Sequence, residues 1–476
     1  MVKDKKHALD YILYPKSIAI IGASKDPMKW GHMILSSIVN GGYEGKVIPI
    51  NPREKEIDGL PCYTSVKEVP GPVDLAMVIV PAKFVPSVIQ DCAEKGVKGA
   101  VIITSGFGET GVEGRNVQDQ VVKIAQSGGV RLIGPNCMGI CSSPSKLSAL
   151  MLPFLHEKGE VAFISQSGGY GMQLYIRATS VGVGISKFIS SGNEADLEMV
   201  DYLEYFGNDP EVKVIAMYLE QVRHGRRFFE VAKEVSKKKP VVVIKVGTTE
   251  AGSRAASSHT GALAGSDKIY DVAFKQSGVI RTYNAEEMFD TIKAFLYCPL
   301  PQGNQLGVIA NSGGICVETT DKAIENGLST PTLPEDAQQE ILKHIPDFGN
   351  PKNPVDLTAS LDMGSFLNVP KVVLAREEIN GLITLGLSTS IMQAMFPGTP
   401  KETFLEIFKG LNSQLVKTWK DSGKPVLVIV PGADFEPEAA QILEDNRVPV
   451  YTTPERAAKA FAALYRYKNY LDVMKA

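Results

Sequence analysis

Chemistry is first visible where two apolar runs break into a serine and two glycines: Ser167-Gly168-Gly169 after VAFIS, and Ser312-Gly313-Gly314 after LGVIA. A strand that turns through such residues into a helix leaves unpaired amides at the helix start with no Cβ in the way, which suits a phosphate. The helix macrodipole adds about 0.3–1 kcal/mol for an anion there. A third feature is His259, set among small residues, Ala255-Ala256-Ser257-Ser258 before it and Thr260-Gly261-Ala262 after it. With an unperturbed pKa near ~6.5, a histidine is largely neutral at pH 7 and has a ring nitrogen able to attack phosphorus. Its other nitrogen then needs a carboxylate, and Glu220, which ends the apolar run VIAMYLE, is the candidate. The other histidines (His7, His32, His156, His224 and His344) lack a comparable setting and are read as structural or surface residues.

The elements that must position these groups follow a regular rhythm. Short β-branched runs (Ser17 to Ile21, Lys46 to Ile50, Leu75 to Val80, Ala100 to Thr104, Arg131 to Ile133) alternate with longer helical stretches, which means a parallel sheet covered by helices. Most of these runs end in turn formers: Gly22-Ala23-Ser24, Asn51-Pro52, Pro81-Ala82, Ser105-Gly106 and Gly134-Pro135-Asn136. Ligands of open α/β sheets bind at such strand ends. The first turn reads Gly22-Ala23-Ser24-Lys25 rather than a three-glycine fingerprint, and Asn51-Pro52-Arg53 stands where a ribose-binding acid would, so NAD is disfavoured. Lys25, Arg53 and Lys55 at the same edge suit a nucleotide with an additional phosphate, as coenzyme A has.

The remainder of the chain repeats itself. VAFISQSGG at 161–169 returns as LGVIANSGG at 306–314, and KPVVVIKVG at 239–247 as KPVLVIVPG at 424–432. Two copies of one α/β domain explain this. Val243 to Val279 spans 36 residues in the first copy, against 20 from Val428 to Val448 in the second, so the first copy is 16 residues longer. The excess falls on GSRAASSHTGALAGSD, which contains His259. The expected domains are residues 1–145, 146–299 and 300–476, divided near SSPSK and PLPQGN.

Composition removes several classes of function. Of 476 residues, 44% are apolar and 22% charged, with 50 basic and 53 acidic side chains and a net charge of −3, so no field favours nucleic acid or an anionic membrane. The six cysteines are scattered, apart from Cys137 and Cys141, which lack further ligands at metal spacing; free thiols are expected, and no metal site. The opening MVKDKKHALDYILYP has no apolar core of a secretory leader, and no apolar run approaches the ~20 residues of a membrane span. A reducing cytoplasm fits.

In this order, GAS at 22–24, INP at 50–52, VPA at 80–82, ITSGFGE at 103–109, GPN at 134–136, SQSGG at 165–169, the strand ending in Glu220, and SHTGALAG at 258–265 resemble the α subunits of the NDP-forming acyl-CoA synthetase family. That family includes ADP-forming acetyl-CoA synthetases and is related to succinyl-CoA synthetase. The resemblance covers nearly the whole chain. It implies an α/β fold of three domains, a Rossmann-like CoA-binding domain followed by two flavodoxin-like ligase domains. It places coenzyme A on Gly22, Ala23, Ser24, Lys25, Pro52, Pro81, Ala82, Thr104 and Ser105, with Arg53, Lys55 and Asn136 beside them. His259 matches the phosphorylated histidine and Glu220 its orienting carboxylate. Ser165, Gln166, Ser167, Gly168 and Gly169 match the phosphate site, which Ser312, Gly313 and Gly314 complete. Met172 stands where the succinate enzymes have tyrosine, which points away from a dicarboxylic substrate.

The implied reaction converts acyl-CoA, ADP and phosphate reversibly into a small carboxylic acid, ATP and CoA through acyl phosphate and phosphorylated His259. No ATP-grasp segment is visible, so ADP or ATP and Mg²⁺ are expected on a separate ATP-grasp β subunit in an α2β2 heterotetramer. The alternative is a non-catalytic sensor or scaffold for coenzyme A or acyl-CoA; a nicotinamide oxidoreductase is the third possibility.

Overall fold

Runs of Ile, Val and Ala become buried strands, and the amphipathic stretches between them become covering helices, in a computed structural model that describes residues 7–151, 159–254, 266–358, 360, 362–433 and 437–475. The chain divides into two compact units, residues 1–283 and 284–476.

The first unit begins with β1 (Ser17–Ile21) and β2 (Lys46–Ile50), followed by a short antiparallel pair, β3 (Glu56–Ile57) and β4 (Leu60–Pro61). β5 (Leu75–Val78), β6 (Gly99–Ile102) and β7 (Arg131–Ile133) complete a five-stranded sheet in the order β2-β1-β5-β6-β7, parallel throughout. Every residue of β1 is buried, as a strand covered on both faces requires. The helix Val85–Lys95 turns Val85, Ile89 and Cys92 inward at helical spacing and ends on left-handed Gly96.

A hairpin, β8 (Gly139–Ser142) with β9 (Leu147–Leu150), then enters a second sheet built on β10 (Val161–Ser165), β11 (Ile185–Ser190), β12 (Val214–Leu219), β13 (Val241–Lys245) and β14 (Ile280–Thr282). The order is β14-β13-β12-β10-β11-β8-β9, parallel except for the hairpin, which runs antiparallel to β11. One continuous apolar core joins the two sheets: Ile18, Met77 and Ile133 from the first pack in the same cluster as Ile140, Ile164 and Ile189 from the second.

The second unit repeats the pattern. β15 (Leu306–Ala310), β16 (Val355–Asp356), β17 (Gly381–Leu385), β18 (Val426–Ile429) and β19 (Val450–Tyr451) form a parallel sheet in the order β16-β15-β17-β18-β19. Read from the other edge, this matches β14-β13-β12-β10-β11 strand for strand. The repeat seen in the sequence is therefore a repeat of topology, with β10 equivalent to β15 and β13 to β18.

Candidate functional site

The topology fixes where a ligand can enter the second sheet. β10 lies between β11 and β12, so the connection leaving β10 runs toward β11 while that leaving β12 runs the other way toward β13, and the two diverge and open a crevice at their carboxyl ends. After β10, the Ser165 hydroxyl turns back onto the Ser167 carbonyl (2.7 Å), and Ser167 is the N-cap of the helix Gly168–Ser180 without a side-chain capping bond. The first-turn amides are thus left for an anion. Two glycines are sterically required there. A Cβ on Gly168 would stand 2.7 Å from the Met138 side chain, and one on Gly171 2.4 Å from Ser165 Oγ. Gly169 faces open space.

Gln166 ties this turn to the end of β12. Its Oε1 accepts from the backbone N–H of Glu220 (2.6 Å) and Gln221 (3.0 Å), and its Nε2 donates to the Gln221 carbonyl (2.9 Å). Glu220 is buried. The strand that leads toward His259 lies alongside: Leu219 is in register with Lys245, and the Val246 N–H donates to the Leu219 carbonyl at 3.0 Å. The chain therefore leaves β13 next to Glu220. His259 and its neighbours at 255–265 lie outside the described residues. The helix Asp267–Ser277 follows, and its Tyr270 accepts the Val222 N–H at 3.2 Å and lies under the Lys245 ammonium at 4.5 Å. Burial holds Lys245 below the ordinary lysine value.

The loop after β11 forms the other wall. Ser191 Oγ donates to Glu194 Oε1 at 2.7 Å, and the Arg223 guanidinium donates to the backbone carbonyls of Asn193 and Glu194. Glu194 has the positive φ of 53°, and Gly192, at φ 59°, leaves no space for a Cβ, which would meet the Pro135 carbonyl at 2.3 Å. Asn193 reaches into the first sheet's loops, donating to Glu109 (2.5 Å) and Gln118 (3.1 Å) and accepting from Asn136 (3.3 Å). Burial pushes the Glu194 carboxyl up to about 7, against the opposing hydrogen bonds of Ser191 and Gln166 and the charge of Arg223. Glu109 is also partly buried, but the Asn193 amide and the N–H groups of Gly106 and Phe107 outweigh that and hold it below the ordinary carboxyl range.

These walls enclose a cleft of ≈ 510 Å³. Of the residues singled out from sequence, Pro81, Thr104, Ser105, Asn136, Gln166, Ser167, Gly168, Gly169 and Glu220 line it together. Thr104 is fixed by its hydroxyl on the Val80 carbonyl at 2.7 Å. Gly22, Ala23 and Ser24 form the turn beside it, because a Cβ on Gly31 would lie 2.0 Å from the Gly22 carbonyl, and the adjacent Trp30 lines the cleft. Asn51 holds that turn through the Ala23 carbonyl at 2.8 Å. Lys25 pairs with Glu54 at 2.7 Å, while Arg53 and Lys55 point outward; Pro52, Ala82 and Ser165 are likewise not in the lining. Met172 is buried within its helix. In the second unit Ser312 is the N-cap of the helix Gly313–Glu325, again without a side-chain cap, and a Cβ on Gly313 would stand 3.1 Å from Asp356 Oδ2.

Glu194, Asn193 and Arg223 did not emerge from the sequence. A usable signal existed, since Ser190-Ser191-Gly192 ends β11 much as Ser165-Gln166-Ser167-Gly168 ends β10.

Paired strand-end loops, an open helix start and a neighbouring sheet with its own glycine turn make an anion-binding cleft of an α/β protein. Three family models match in succession: a CoA binding domain at 16–143, a succinyl-CoA ligase like flavodoxin domain at 158–295 and a ligase-CoA domain at 306–474. The chain is 43% identical over 469 residues to acetate–CoA ligase [ADP-forming] I subunit alpha of Pyrococcus furiosus, covering 97% of this chain and 98% of that one. It is 37% identical over 464 residues to the acetate–CoA ligase [ADP-forming] of Methanocaldococcus jannaschii, covering 97% of this chain and 64% of that longer one. The solved structure of Ca. Korarchaeum cryptofilum dinucleotide forming acetyl-coenzyme A synthetase 1, in complex with phosphate and ADP, superposes with a TM-score of 0.89 at 40% identity, covering 98% of this chain and 99% of that one. The chain belongs to the family of ADP-forming acetate–CoA ligase α subunits.

Proposed function

We propose that this chain interconverts acyl-CoA, ADP and phosphate with a small carboxylic acid, ATP and free CoA, acetate being the acid that the names of its 43% identical relatives support. Phosphate held on the amides after Ser167 attacks the thioester, giving acyl phosphate and releasing CoA. His259 then takes the phosphoryl group and releases the acid, and ADP accepts it from His259. Glu220 orients the ring and stabilises its charged, phosphorylated form. Backbone donors already aimed at the reacting phosphate need no reorganisation during transfer, which is where such sites gain most of their rate.

The observation that carries this reading is the convergence, in one cleft, of the open helix start at Gly168 and the buried Glu220 tied to it by Gln166, with the strand that leads to His259 paired alongside β12, which ends next to Glu220. Coenzyme A fits the first-sheet wall of Pro81, Thr104 and Ser105. The relatives that bear the name of a subunit, and the longer chains that extend beyond this one, support a partner subunit. We assign to that partner an ATP-grasp fold with the nucleotide and Mg²⁺, in an α2β2 assembly. No helix among the described residues is long and apolar enough to cross a membrane. The six cysteines are free thiols, which supports a reducing cytoplasm.

The test is thiol release. The chain with its partner, given ADP, phosphate and a panel of acetyl, branched-chain and aryl CoA thioesters, releases CoA and forms ATP in equal amounts from at least one. Hydrolysis independent of ADP, or no release from any thioester, overturns the reading.

A further inference from the structure

Of the titratable groups that line the cleft, one is placed to move a proton and is not used by the phosphate relay. Cys137, Glu194, Glu220 and Arg223 are present there. Burial pushes the Cys137 thiol up to about 12, so it is no base near neutrality. Arg223 is spent on the carbonyls of Asn193 and Glu194. Glu220 belongs with the histidine. Glu194 is left, on the loop after β11, lining the same cleft as the phosphate cradle after β10.

The acyl-transfer step needs such a group. A thiol with a pKa near ~8.5 is mostly protonated at pH 7, whereas the attacking species is the thiolate. We propose that Glu194 accepts the thiol proton of coenzyme A as the sulfur attacks acyl phosphate, an inference that rests on the function proposed above. The S–H bond breaks and its proton passes to the Glu194 carboxylate. The sulfur electron pair forms the S–C bond, the C–O bond to phosphorus breaks, and its electron pair leaves with the phosphate. In the opposite direction phosphate attacks the thioester carbon, the C–S bond breaks, and the departing thiolate recovers the proton from Glu194.

The surroundings suit that exchange. The Glu194 backbone is pinned by Arg223 and by the steric fit of Gly192 under the Pro135 carbonyl, so the carboxyl is presented from a rigid loop. The groups that face it are Ser191 and Gln166 as hydrogen-bond partners, Arg223 as a cation, and Glu198 as an anion, itself 2.7 Å from His224 Nδ1; Tyr202 lies beneath, and Glu109 lies beyond Asn193. Their balance with burial sets the carboxyl near 7, where both forms are populated and proton transfer runs in either direction.

The test uses the complex with its partner subunit and separates two half-reactions. Glu194→Gln keeps an acceptor for Ser191 and removes the base. Formation of acetyl-CoA from acetyl phosphate and CoA falls about 10²–10⁴-fold in kcat with KM for CoA held, and the acidic limb of kcat/KM near pH 7 disappears. Phosphorylation of His259 by acetyl phosphate stays within about threefold. Ser191→Ala removes a donor to the ionised carboxyl, so the same limb moves to higher pH; this variant carries the test if Glu194→Gln does not fold. Acetyl transfer at the wild-type rate with the limb intact, an unmoved limb in Ser191→Ala, or equal loss of both half-reactions overturns the role of Glu194. Failure of the wild-type complex to make acetyl-CoA instead overturns the proposed function, and this step with it.

Discussion

Replacing Gln166 with Ala separates positioning from stability. The Gln166 amide makes three hydrogen bonds to the backbone at Glu220 and Gln221, at 2.6, 3.0 and 2.9 Å. Each is worth a net ~0.5–1.5 kcal/mol, and because the neighbouring cleft is roomy and polar enough for water to re-pair the freed groups, the low end applies, or about 1–2 kcal/mol in all. A domain stable by about 5–15 kcal/mol remains more than ~99% folded after such a loss, so rate would not fall through unfolding. Yet the end of β12 loses its tether to the phosphate turn, and a shift of about 1 Å in a reacting group costs on the order of 10²-fold. The assay is single-turnover phosphorylation of the chain by acetyl phosphate, paired with a thermal unfolding scan. The expected result is a rate lowered about 100-fold with a midpoint lowered by only a few degrees. A rate within threefold of wild type, beside the same small loss of stability, would refute the claim that Gln166 positions Glu220.

Three further perturbations follow from the structure. A carboxyl whose folded value lies above its unfolded one binds its proton more tightly when folded, so Glu194 withdraws stability as pH rises from about 4.5 to about 7; Glu194→Gln should exceed wild type by roughly 3 kcal/mol at pH 8 and match it near pH 4, as chemical denaturation at the two pH values will read. Gly192→Ala places a Cβ 2.3 Å from the Pro135 carbonyl at a φ of 59°, and should cost about 2–4 kcal/mol in a denaturant titration; a loss under ~1 kcal/mol would mean that the loop relaxes freely. Lys187, fully buried between Asp209 (3.0 Å) and Glu211 (2.9 Å), is held above the ordinary lysine value by these partners and Tyr14 despite burial. Its stabilising effect is complete below the unfolded value of about 10.4 and is lost as pH rises through the higher folded one, and Lys187→Met, which strands Asp209, should destabilise by about 3 kcal/mol at pH 7; an unchanged midpoint would contradict this.

Much of the scaffold was legible because parallel strands buried on both faces leave unbroken apolar runs. The runs at Ser17–Ile21, Lys46–Ile50 and Arg131–Ile133 coincide with β1, β2 and β7, and the SQSGG and NSGG repeats mark equivalent strand-to-helix turns in two sheets of the same order. The hairpin β8–β9 escaped notice, since its pairing to β11 depends on residues about fifty positions away and has no periodic signature. Glu194 escaped for a related reason. Ser-Gly-Asn-Glu reads as a solvated turn, and only folding buries the carboxylate beside Ser191 and Gln166 and sets the neighbouring Asn193 against Glu109 and Asn136 of the first sheet. Lys25 illustrates the converse: its charge was visible, but its pairing with Glu54 depends on how the two strand-end turns meet.

The account stands on covalent passage of phosphate through His259. The direct measurement is to incubate the complex with acetyl-CoA and radiolabelled phosphate, quench in alkali, and map the label by peptide sequencing. An acid-labile, alkali-stable label on the peptide containing His259, chased into ATP by added ADP and absent from His259→Ala, is the predicted result. Undiminished labelling of His259→Ala, or ATP formation by that variant at the wild-type rate, would contradict it.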